Sequence, residues 1–158
     1  MIFKTNIIIP WNIEYVFDAL NEPLMMQKIA LPLVIFKAVK PSVFPYRWQN
    51  GGKYRMNMYF FGVFPLGWQE LSIESIRSDA GAVFTDIGPG FVVKQWNHKV
   101  ILSNDGDLYT RYDETLELTV GLMAPLIWLG MTVLFAWRKY RWFTITKLDP
   151  KTLKLQID

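Results

Sequence analysis

His98 is the one histidine in a chain of 158 residues, so proton transfer near neutral pH would have to begin with it. It stands in an alternating run that puts Trp96, Val100 and Leu102 on its own face. Asp113, in the next alternating run, shares a face with Tyr109 and Arg111. A His98–Asp113 pair across two neighbouring strands would polarise a water or a substrate carbonyl. The preferred expectation is plainer: His98 hydrogen-bonds backbone or Asp113 and closes one end of the fold.

Other routes to chemistry are thin. The chain has no cysteine, which removes disulfides, thiolate catalysis and Cys-ligated zinc. No serine sits in a nucleophile elbow, and one histidine among scattered carboxylates makes no metal set, so neither metal nor cofactor is expected. Gly88-Pro89-Gly90 lacks the lysine and following helix of a phosphate loop, and reads as a tight turn admitting a lid or ligand. Glu70 and Glu74 oppose Leu71 and Ile73 on their strand and are read as solvated. Arg138, Lys139 and Arg141 suit a helix C-terminus, with anionic lipid as the functional alternative. A net charge of +3 with scattered cations gives no nucleic-acid footprint.

The residues best suited to a binding wall are apolar or amphipathic and lie on strand faces or on a late helix: Tyr54, Met56, Met58, Trp68, Trp96, Met123, Trp128 and Met131, with His98. Methionine adapts to irregular ligands, and Trp or Tyr offers a flat body with one polar handle. Ordinary core packing explains about half of such a set equally well.

The elements that must hold these residues follow from pattern. Ile2–Ile9 reads as a strand ended by Pro10. Asn12 caps a short helix to about Leu20, and Glu22-Pro23 opens a second. Residues 31–50 read as a lid-like segment broken by Pro32, Pro41 and Pro45. From Gly51 to Leu118 strand follows strand, punctuated by GVFPLG, SDAG, GPG and NDGD, which are hairpin connections. Val120–Trp137 then runs eighteen residues without charge, and an apolar rod of that kind must be wrapped. Either lipid wraps it, making the chain a membrane-anchored protein, or a curved sheet does. The sheet needs a cover and the rod needs a wrap, so the sheet is preferred. The tail 149–158 alternates like a late strand.

In that order of elements, and in the segments IPWNIEYVFDAL, GVFPLGWQELSI, FTDIGPGFVVKQWNH, Tyr112-Asp113 and FAWRKYR, the chain resembles the START-like superfamily. That group (SRPBCC) holds polyketide cyclases and the birch-pollen allergens. Asp86, Gly88-Pro89-Gly90, Trp96 and His98 stand in the spacing of a small bacterial branch. The resemblance implies an α+β helix-grip fold: a curved antiparallel sheet of about seven strands around a long C-terminal helix, with two short helices after the first strand. It also implies a cavity between sheet and helix that holds a lipid, polyketide or other hydrophobic molecule. The crowding of seven Trp, seven Tyr and eleven Phe would narrow that cavity.

The expectation is therefore one domain over residues 1–158 that binds or carries a hydrophobic small molecule without covalent chemistry. A cyclase or dehydratase using His98 and Asp113 is the alternative, and a membrane anchor through Val120–Trp137 the second. MIFKTNIIIP lacks the pattern of a signal peptide, so a cytoplasmic setting is expected. Oligomeric state is open, since edge strands in such a sheet could pair with a second copy.

Overall fold

The computed structural model describes residues 1–146. The expected late strand at 149–158 lies outside the described residues. β1 (Ile2–Ile9) is followed by α1 (Ile13–Leu20) and α2 (Pro23–Ala30). Asn12 is the N-cap of α1, its Oδ1 accepting from the Tyr15 amide at 3.1 Å, and Pro23 occupies the first turn of α2, where its missing N–H is harmless.

The next strands are β2 (Val34–Lys40), β3 (Lys53–Phe60), β4 (Phe64–Ser78), β5 (Gly81–Gly88), β6 (Val93–Asn104) and β7 (Thr110–Val120). They form one antiparallel sheet in the order β1-β7-β6-β5-β4-β3-β2. The lid expected at 31–50 is corrected by β2. Its apolar run Val34–Phe36 pairs with β3, and Pro32 and Pro41 stand just outside it, as befits an edge strand that donates on one side only. The rest of that segment folds inward at Trp48, whose amide donates to the Asn21 carbonyl and whose ring lies 4.6 Å from that of Tyr54.

The last element, α3 (Ala124–Thr146), lies on the sheet. It meets the sheet through a stripe at helical spacing. Ile127, Met131 and Phe135 pack on Val93, Leu116 and Leu118, and Trp142 and Ile145 enter the main core with Ile9, Val100 and Tyr112. The opposite side, Leu126, Leu129 and Val133, stays exposed. The rod is thus clasped along one side only. The strand β7 consumes its first residue and Arg138, Lys139 and Arg141 fall inside the helix. Among the described residues no helix is long and apolar enough to cross a membrane, which corrects the membrane-anchor alternative.

Candidate functional site

The sheet's inward face is set by period-2 alternation. On β5 it carries Ala82, Phe84 and Asp86; on β6, His98, Val100 and Leu102; on β7, Tyr112, Glu114 and Leu116. Asp86 is the direct cross-strand partner of His98, and Glu114 stands opposite Val100, one pleat away. Two carboxylates therefore converge on one imidazole. His98 Nδ1 is 2.6 Å from Asp86 Oδ2, and His98 Nε2 is 2.7 Å from Glu114 Oε1. Trp96 Nε1 donates to the other Asp86 oxygen at 2.5 Å. From α3, Arg138 Nη1 reaches Glu114 Oε1 at 2.8 Å.

All four ionisable groups are buried or nearly so. Burial alone would drive the proton off His98, but the charges and hydrogen bonds of Asp86 and Glu114 outweigh it and raise its pKa to about 9. Burial likewise pushes the Glu114 carboxyl up, and Arg138 with His98 more than reverses that, leaving it below its ordinary value. Arg138 loses solvent yet is held more firmly protonated by Glu114. At neutral pH the cluster contains two cations and two carboxylates, so its charges cancel. Both ring nitrogens of His98 face carboxylates, which leaves neither open to take a proton from a substrate.

Beside the cluster lies a cavity of about 90 Å³ between the sheet, α2 and α3. Asp86, Trp96, His98 and Arg138 form its polar wall. Gln69 adds an amide, and the remainder is largely apolar and includes Met25, Met26, Met56 and Met58, four of the chain's seven methionines.

The binding residues read from sequence separate into groups. Met56, Met58, Trp96 and His98 line this cavity. Tyr54 is buried under Trp48, its hydroxyl accepting from the Gln49 amide at 2.9 Å. Met131 packs in the second cluster with Phe135. Three placements are corrected. Trp68 has the opposite parity to Gln69 and Leu71, so it faces away from the cavity and carries Arg55 over its ring at 4.2 Å. Met123 precedes α3 and Trp128 lies off its packed stripe, so both are exposed.

The expected partner of His98 is also corrected. Asp113 shares the outward parity of Arg111 and Glu117, and lines a separate surface groove with Lys4 and Lys139. Asp86 and Glu114 take the place assigned to it. The basic trio is no exposed patch either: Arg138 is in the cluster, and Arg141 Nε donates to the Lys28 carbonyl at 3.1 Å. Gly88 and Gly90 admit β4 rather than a ligand. A Cβ on Gly88 would strike the Glu70 carbonyl, and one on Gly90 the Gln69 side chain. Gln69 Nε2 in turn donates to the carbonyls of Gly88 and Pro89, each at 3.2 Å.

Solved structures share this architecture at low identity. A protein of Chromobacterium violaceum is 13% identical with a TM-score of 0.65, over 94% of this chain and 98% of that one. The Zhui aromatase/cyclase of a Streptomyces species is 6% identical with a TM-score of 0.68, over 93% of each chain. A norcoclaurine synthase point mutant of Thalictrum flavum, in complex with a transition state analogue, is 11% identical with a TM-score of 0.56, over 89% and 93%. These likenesses show the fold alone, a helix-grip fold. No curated protein sequence matches the chain. The family model described as "Domain of unknown function (DUF8410)" matches residues 44–144, the stretch that holds β3 to β7, both carboxylates, His98 and Arg138, and the chain belongs to that family.

Proposed function

We propose that the chain binds an uncharged, apolar small molecule in the cavity between sheet, α2 and α3, without covalent chemistry. One observation carries this reading: the charged wall of a largely apolar cavity is an ionic cluster whose charges already cancel, and the amide of Gln69 is the further polar group on its lining. A fatty-acid carboxylate or a phosphate entering there would find no spare counter-charge and would lose its hydration. A neutral aromatic or alkyl body would lose nothing of that kind. At about 90 Å³ the cavity is below the roughly 300–1,000 Å³ of most ligand sites. The four lining methionines supply the missing room, because their unbranched side chains repack around a guest at low cost.

The test is thermal unfolding with benzene and with benzoate, joined to solvent extraction of the freshly purified protein and mass spectrometry. Benzene is expected to raise the melting temperature and benzoate to leave it unchanged. Filling the cavity by Met58→Trp is expected to abolish the benzene effect. Absence of any shift, together with no co-purified apolar molecule, would overturn the reading.

A further inference from the structure

The strands of the meander are joined by two sets of turns, and the two ends of the sheet differ in chemistry. At one end lie residues 78–81 and 104–109, which carry Asp79, Asp105 and Asp107. At the other end lie residues 61–63, 89–92 and 121–123, together with the start of α3. Here residues 59–68, 87–93 and 118–137 contain no charged side chain at all. Turn tips are ordinarily polar. These carry Val63 at 71% exposure, Phe64 at 64%, Phe91 at 71% and Leu122 at 103%. A Cβ on Gly67 would strike the Phe91 ring, so the 89–92 turn lies against the start of β4, behind the 61–63 turn, and the turns at this end form one apolar crown.

We propose that this crown docks the protein on the surface of a lipid bilayer, inserting its turn tips and the first turns of α3 without spanning. The shape selects the occupant. The apolar residues stand on three separate tips and on the sides of the helix that its packed stripe leaves uncovered. On that helix Leu126 and Trp128 are both exposed although they point about 200° apart. A rigid partner covers one side of such a surface, whereas a fluid apolar phase surrounds it. The charges agree: exposed Lys37 and Lys94 are the first charged residues beyond Phe36 and Val93, placed to meet lipid headgroups. The nearest exposed carboxylate, Glu117, lies three residues back along β7.

The test is co-sedimentation of the full chain with vesicles of phosphatidylcholine and phosphatidylglycerol in equal parts. The protein is expected to pellet with them, and Val63→Asp/Leu122→Asp to lower partitioning roughly tenfold or more. Leu108→Asp, at an equally exposed tip of the opposite end, is expected to change nothing. Should the double variant fold poorly, Leu122→Asp alone reads the same effect, since that side chain is fully exposed. Wild-type protein left in the supernatant, or equal losses from both ends, would overturn the proposal. So would a dimer in gel filtration that the double variant splits in the absence of vesicle binding, since a second copy would then be the crown's occupant.

Discussion

His98 Nε2 and Arg138 Nη1 share one oxygen of Glu114, at 2.7 and 2.8 Å. Glu114 is thus the hinge between the sheet's imidazole and the helix's guanidinium. Because His98 is the chain's one histidine, its ring protons can be followed by NMR without assignment. Wild-type His98 is expected to titrate at about 9. Glu114→Gln keeps the shape but removes one of its two counter-charges, and His98 is expected to titrate markedly lower. A wild-type midpoint at the ordinary 6.5 would show that the carboxylates do not hold the proton.

The same proton shapes stability against pH. His98 binds it more tightly folded than unfolded, so its stabilisation is complete below 6.5 and drains away as pH rises through about 9. Glu114 is displaced the other way. Its contribution is present above 4.5 and fades as pH falls through its lower folded value. A rise from 6.5 to about 9 corresponds to about 3 kcal/mol. Urea unfolding is expected to give a plateau in mildly acidic solution and a decline through pH 9. His98→Gln is expected to flatten the alkaline limb; an unchanged limb would assign it to other groups.

Arg138 is expected to matter as much as His98. Arg138→Met leaves Glu114 buried beside one cation instead of two, a loss of roughly 3–5 kcal/mol when a buried pair is broken on one side. Combining it with Glu114→Gln removes both partners, and the double variant is expected to lose less than the sum of the singles. Additive losses in denaturant midpoints would mean that the two side chains do not act together.

Much of this was legible in the chain. Turn chemistry placed the five hairpin-linked strands within a few residues, and cap residues placed α1 and α2. The cluster was legible in principle as well. Inward parity runs through Phe84 and Asp86, through His98 and Val100, and through Tyr112 and Glu114, and Arg138 falls on the Met131–Phe135–Trp142 stripe. Asp113 and Glu114 are one residue apart, which in a strand reverses the face, and only Glu114 has the inward parity of Tyr112 and Leu116. What local pattern does not carry is how far α3 is covered. Leu126 and Ile127 are equally apolar, and only the packed sheet decides that one is exposed and the other half-buried. The strand β2 was hidden for a similar reason: its partner is chosen by the edge of a sheet, not by its own prolines.

Gly88 offers a sharp check on how the cluster is held in register. Asp86 reaches His98 only because β5 pairs with β4 on one side and β6 on the other. Near the end of β5 the backbone of Gly88 passes so close to β4 that a methyl group would overlap the Glu70 carbonyl. That obstacle is main chain, fixed by its own ladder, and it cannot rotate aside as a side chain would. Gly88→Ala must therefore push the two strands apart, and it is expected to destabilise the fold by about 1–3 kcal/mol or more. The added strain lies two residues from Asp86, so His98 is expected to titrate lower in the variant. Gly121→Ala is the matched comparison, since a methyl group there meets nothing within 4 Å, and it is expected to leave both the melting temperature and the His98 titration in place. Equal effects at the two glycines would mean that the close approach of β4 and β5 does not set the cluster's geometry.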